Sequence, residues 1–277
     1  MKLSPDKIIG IYCIVDDMLK AIQHPEDKRR RISDSQVITT ALVSAIYFGG
    51  HHDHAIGFMR TTGMIPGMLS SSRFCRRVHK TGQLLIDIFM QLGTVIESMT
   101  SELQYILDSF PVAACDNIRI MRSKLLKGNK WRGYTASMHR YFYGVKVQLL
   151  ITRSGVPIRF CFVPGKQADA KALGRMIEGL PAESQVYADA AYTDYQIEDL
   201  MKNTHFIFLK TQRKSNSKRP DSAEQSQLTT KRRKQVEAII SNIKKMFPKT
   251  IHAVTLNGFL IKISLFIFAA QFSKIIN

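Results

Sequence analysis

The stretch YFYGVKVQLLITRSGVPIRFCFVPG (141–165) constrains this chain more than any other. Aromatic and β-branched residues alternate along it, Ser154–Gly155 supplies a turn, and Pro164–Gly165 closes the second run. It therefore reads as two strands joined by a hairpin. The pattern downstream alternates. ADAKALGRMIEGL (168–180) has helical spacing, SQVYADAAY holds a short apolar strand, DYQIEDLMKN (194–203) is helical, and HFIFLK (205–210) is a strand again. Upstream, LQYILDSF (103–110) adds an apolar strand ending at Asp108. Strands alternating with helices predict an α/β body. KRRKQVEAIISNIKKMF (231–247) closes it as a helix, after a polar stretch without periodicity (215–227) that reads as a mobile loop.

Residues 1–102 carry helical spacing instead. Ser4–Pro5 opens one helix, and Ser33 with Asp34 caps a second, SDSQVITTALVSAIYF (33–48), which Gly49–Gly50 ends. Ser70 to Ser72 cap a third, bearing Arg73, Arg76, Arg77 and Lys80. The predicted organisation is thus a helical region, 1–102, and an α/β body, 103–277. No run of about 18 apolar residues occurs, and the most apolar segment, 258–270, is short and contains Lys262, so no membrane span is expected. The N-terminus has acidic residues where a signal peptide would be apolar, which points to a cytoplasmic protein. Cys13, Cys75, Cys115 and Cys161 lack metal-site spacing and read as buried free thiols.

Charge narrows the function. Forty Lys and Arg against 22 Asp and Glu give a net charge of +18. An excess of this size favours a polyanion, since each phosphate contact releases counterions. No basic amphipathic helix marks a membrane anchor, so nucleic acid is the stronger reading. The excess is uneven. No acidic residue lies between Asn117 and Gln148, where Arg119, Arg122, Lys124, Lys130 and Arg132 fall. A second basic run, 213–249, contains Lys231, Arg232 and Arg233. Together with Arg73, Arg76 and Arg77, which form either a recognition helix or a plain cationic face, these are the candidate DNA contacts. Trp131 and Tyr134, set among cations, either stack on unpaired bases or pack on the domain.

Three carboxylates stand out against this background. Asp108 and Asp189 each end an apolar strand, and Glu237 lies on a helix, one turn after Arg233 on the same face. Singly, each has a plain role: a turn, a helix cap, a surface ion pair. Together, two strands and a helix can converge their carboxylates on the oxygen-rich shell that magnesium, or manganese in its place, requires. Two such ions would serve phosphoryl transfer. The adjacent histidines of GGHHDHA (49–55) read instead as a polar loop after a helix.

At this point the residues are recognisable. ILDSFPVAACDN, RGYTASMHRYFYGVKVQLLIT, VYADAAYTDY, RKSNSKRP, RRKQVEAIISNIKKMFP and IHAVTLNGF resemble the transposases of bacterial insertion sequences with a DDE catalytic triad. RRRISDSQVITTALVSAIYFGG and MLSSSRFCRRVHK resemble the same group, so the likeness covers nearly the whole chain. It implies an RNase H-like fold, a five-stranded mixed sheet flanked by helices with the first and fourth strands adjacent, behind a helical DNA-binding region. It implies that Asp108, Asp189 and Glu237 are the catalytic and metal-binding triad, with Asp116 the alternative to Asp108, and that Arg233 matches the arginine one turn before the family glutamate. It further implies a Mg2+- or Mn2+-dependent nick at terminal inverted repeats, attack of the freed 3′-OH on target DNA, and a homodimer in the synaptic complex. Two other readings stand beside it: a decayed, binding-only protein, and a stand-alone nuclease of the same fold.

Overall fold

Alternating side chains in the middle of the chain build one mixed sheet. The computed structural model describes residues 3–27, 29–115, 117–135, 139–213 and 217–276. Strand β1 (Gln104–Cys115) is central, antiparallel to β3 (Arg140–Thr152) and parallel to β5 (Gln185–Ala188). Strand β6 (Phe208–Thr211) continues the sheet parallel to β5. Strand β3 is long enough to take two partners on its far edge, β2 (Arg132–Thr135) along 140–143 and β4 (Pro157–Pro164) along 145–151. The sheet therefore has six strands, not the expected five. The extra strand, RGYT, lies in the basic segment and is too short for alternation to reveal. The expected adjacency holds: the strand carrying Asp108 lies beside the one leading to Asp189.

Strand parity assigns the faces. Tyr105 and Leu107 of β1 enter an apolar core with Leu173, Met176 and Ile177 of α6 (Ala170–Ile177) and Met201 of α7 (Tyr195–His205). Gln104, Ile106 and Asp108 point the other way. On that side Arg232 of α8 (Ala223–Met246) donates to Gln104 Oε1 at 2.7 Å. Helix α8 begins eight residues before the position expected from sequence, at Ala223 rather than Lys231, so 223–227 are helical rather than loop. Ser215 and Asn216 lie outside the described residues. Arg219, within the same predicted loop, holds Asp199 of α7 through two hydrogen bonds of 2.7 and 2.8 Å.

By contact the chain divides into two units, 96–241 and 1–95 with 242–277. The second contains α1 (Pro5–Ala21), α2 (Asp34–Tyr47), α3 (His52–Thr61), α4 (Ser71–Lys80) and most of α5 (Gly82–Met99). Its last helix, α9 (Leu256–Ile275), is apolar on every side and buries Phe259, Phe266, Phe268 and Phe272. The sequence reading ran the α/β body through to residue 277, whereas α9 packs on α2. A helix apolar all round needs partners on all sides. By length and composition alone α9 could cross a membrane, but 72% of its most apolar window is buried inside the protein. The helix extends on both sides of the apolar segment 258–270 singled out from sequence. The caps at Ser4 and Ser33 lie as expected, Ser33 within a capping box with Gln36. His52 to His54 are not a loop but the first turn of α3. Cys13 is exposed, and the other three cysteines are half-buried rather than buried.

Gly144 sits where β1 bulges between Ala113 and Cys115. A Cβ there would collide with the carbonyl oxygen of Val112 on the neighbouring strand. Backbone cannot yield without opening the ladder, so Gly144→Ala is expected to cost about 2–3 kcal/mol, read as a lower urea midpoint at unchanged slope.

Candidate active site

The parallel pairing of β1 with β5 ends at Leu107 opposite Ala188. The next residue on each strand is an aspartate, so Asp108 and Asp189 lie side by side just past the last paired residues. Asp108 does not end its strand, as the sequence suggested; β1 runs on to Cys115 with β3 as its partner. Each aspartate is steadied by the next backbone N–H: Ser109 N donates to Asp108 Oδ1, and Ala190 N to Asp189 Oδ1, both at 2.7 Å. The cap role of Asp189 is thus real, since it opens the short 3-10 turn Ala190–Tyr192.

Helix α8 supplies the third carboxylate. Thr229, Val236, Ile240 and Ile243 are buried along one stripe, and Arg233 falls within the same spacing. The guanidinium is drawn over the strand ends. Its Nη1 donates to Gln212 Oε1 at 2.7 Å and lies 3.5 Å from Asp189 Oδ1, while Nη2 lies 3.5 Å from Glu237 Oε1. Gln212 follows β6, and its own N–H donates to the carbonyl of Ala188 at 3.0 Å. One arginine, fixed by a glutamine at the end of β6, therefore bridges the second and third carboxylates.

The three differ in environment. Asp189 and Glu237 have side chains 37% and 54% exposed. Asp108 is more enclosed, and burial pushes its carboxyl up to about 6; Arg233 and the Ser109 N–H pull it down, while Asp189 and Glu237 push it further up. The site holds more negative charge than Arg233 offsets. Its donors are all carboxylate oxygens, the set that suits a hard divalent cation. Among the described residues, no three His, Cys, Asp or Glu side chains are gathered closely enough to hold an ion as they stand.

A family model, the transposase DDE domain, matches residues 98–253. The chain belongs to the DDE transposase family. No curated protein sequence matches it. Among solved structures it is similar to the piggyBac transposase in a cryo-EM synaptic complex with hairpin DNA, with a TM-score of 0.50 and 11% identity, covering 96% of this chain and 72% of that one. At that identity the likeness concerns the fold alone.

The candidate DNA-contacting cations of this DDE transposase fall into three sets. Arg73, Arg76, Arg119, Arg122, Lys124, Lys130, Arg132 and Lys231 are exposed. Arg232 and Arg233 are turned inward to Gln104 and to the carboxylates. Arg77 is not a free surface cation: its side chain is 16% exposed and donates to Asp34 Oδ1 at 2.5 Å. Asp116, the alternative first carboxylate, lies outside the described residues.

Sequence reasoning missed two supports. Gln212 carries no motif, and the strand expected from sequence, 205–210, ends before the observed β6 does at Thr211. The turn after Asp189 is held from below, where the buried Tyr192 hydroxyl donates to Gln148. Gln148 donates to Asp169 at 2.7 Å, and Asp169 pairs with Lys146 at 2.8 Å.

Proposed function

We propose that this transposase nicks DNA at transposon terminal inverted repeats and then joins the freed 3′-OH to target DNA. The observation that carries this reading is the placement of Asp108 and Asp189 one residue past the parallel pairing, with Glu237 close enough to raise the Asp108 carboxyl further. In the first step water attacks phosphorus and the bond to the 3′ oxygen breaks, leaving a 3′-OH and a 5′-phosphate. In the second the 3′-OH attacks a target phosphodiester and displaces its 3′ oxygen. Asp108, Asp189 and Glu237 would hold Mg2+ or Mn2+, which when bound supplies Lewis-acid stabilisation of attacking and leaving oxygens.

The chain's own residues do the rest. Gln212 fixes Arg233, which restrains Asp189 and Glu237 at the mouth of the site until substrate arrives. The exposed cations of 117–132 and of α4 hold the DNA backbone. DNA as partner is supported by the net charge and by the DNA-bound state of the piggyBac structure. Two transposon ends brought together require two active sites, so a homodimer is the simplest assembly.

The test is cleavage of a labelled transposon-end duplex with Mg2+ or Mn2+, with binding followed in parallel. Wild type should nick only with the metal. Asp189→Asn and Glu237→Gln should bind within a few-fold of wild type and lose cleavage by about a thousandfold or more. Cutting that survives in either variant would sink this site. Tight binding without cutting by wild type would favour the binding-only reading.

A further inference from the structure

Between Cys115 and β2 the chain makes a 3-10 turn, Asn117–Arg122, whose composition is unusual for a surface. Ile118 is 90% exposed and Met121 is 96% exposed. Exposed apolar residues scattered singly are ordinary, but a contiguous apolar patch marks an interaction surface. In a 3-10 helix residues i and i+3 eclipse. Ile118 and Met121 therefore form one projecting row, and Arg119 with Arg122 forms the next. Asn117 Nδ2 donates to the Tyr141 carbonyl at 2.8 Å, which ties this turn to the β2–β3 ribbon. On that ribbon Tyr134 and Tyr141 are directly opposed, half-exposed, with ring centroids 5.0 Å apart. Arg132 lies over the Tyr141 ring at 4.8 Å.

The partner is set by charge and size. No acidic residue occurs from 117 to 148, and the chain carries +18, so a second copy would bring like charge to this surface. Two projecting side chains are also a small part of the roughly 800 Å² per partner that a stable protein interface buries. Apolar side chains flanked by arginines match what proteins push between base steps to kink a duplex, and exposed aromatic faces beside cations accept displaced bases.

We propose that Ile118 and Met121 are a wedge that enters a base step of the transposon-end duplex and kinks it, with Tyr134 and Tyr141 offering a stacking face to the disturbed base. This rests on the transposase reading above. Ile118 lies ten residues after Asp108 in the sequence, a separation of at most roughly 33 Å in extended chain. That is less than one helical turn of DNA, about 34 Å. The kink is therefore placed within one turn of the phosphate at the carboxylates.

The experiment uses the full chain and end duplexes carrying 2-aminopurine at successive positions through one turn on each side of the cleavage point. Wild-type binding should raise the fluorescence at one step. Ile118→Ala/Met121→Ala, both at exposed positions, should keep the wild-type melting temperature and bind within about tenfold, yet lose most of that rise. It should cleave paired ends about tenfold or more slowly, and a two-nucleotide mismatch at the responsive step should restore the rate. An unchanged rise in the variant, or no rise with wild type anywhere in the turn, overturns the proposal. So does a variant that loses only self-association by light scattering, which would assign the surface to a second copy. The fluorescence decides the wedge even if neither protein cuts, so its failure is distinct from failure of the catalytic reading.

Discussion

Asp108→Asn is expected to make the protein more stable while abolishing cleavage. Folding encloses this carboxyl beside two others and moves it from 3.8 to about 6. At about 1.4 kcal/mol per unit, ionised Asp108 costs roughly 3 kcal/mol at neutral pH. Relaxation and partial hydration reduce that, so the amide should gain about 1–2 kcal/mol, and it can still accept the Ser109 N–H. The sign gives a second readout. An acid whose folded value is raised binds its proton more tightly when folded. Its share of stability is therefore complete below about pH 4 and is lost as pH rises through about 6. Without divalent cation, wild-type unfolding free energy should fall across that window, and Asp108→Asn should lack that part of the slope. Cleavage of the end duplex should drop about a thousandfold or more, because the amide is a far poorer ligand for a hard cation. A gain in stability with loss of activity is the trade-off expected where a site holds charge for chemistry rather than for folding. Lower stability in the variant would mean that Asp108 is a structural acceptor instead.

Much of this arrangement was legible in residue order, for physical reasons that also explain the misses. The hairpin of β3 and β4 and the strand before Asp189 announce themselves because β-branched, aromatic and other apolar residues run together and end at turn residues. The two aspartates were found because a carboxylate interrupts an apolar run. The continuation of β1 was hidden by the same rule, since Asp108 and Pro111 both look like stops. Past Leu107 β1 has only β3 as partner, so a residue without an N–H is tolerated there. The early start of α8 was hidden because 223–230 are polar apart from Ala223 and Leu228, and the tertiary burial of Thr229 is what marks a packed face. Gln212 and Gln148 could not be found at all. Their roles depend on which strand ends meet, and that is a property of sheet order rather than of local pattern.

Arg77 makes the same point from the other side and carries the second large effect. In sequence it is one cation in RFCRRVHK, and Asp34 is half of a helix cap. In the fold Asp34, with its side chain 3% exposed, accepts from His24 Nε2 at 3.0 Å, Arg30 Nη1 at 2.9 Å and Arg77 Nη2 at 2.5 Å. Burial alone would raise the Asp34 carboxyl, but His24, Arg77 and Arg30 together hold it below the ordinary value. Its contribution is therefore present at neutral pH and lost as pH falls below about 4. Asp34→Ala should leave the Arg77 guanidinium enclosed and unpaired, costing about 3–5 kcal/mol of helical-unit stability. Arg77→Met in the Asp34→Ala background should recover part of that loss, because it removes the stranded charge. The two kinds of arginine on α4 then separate in a salt titration of DNA binding. Arg73→Ala and Arg76→Ala, at exposed positions, should each reduce the salt slope by about one. Arg77→Ala should leave the slope of the folded protein unchanged and weaken binding only in proportion to the fraction unfolded. A reduced slope in Arg77→Ala at full folding would return that residue to the DNA-contacting set and leave Asp34 as its positioning partner.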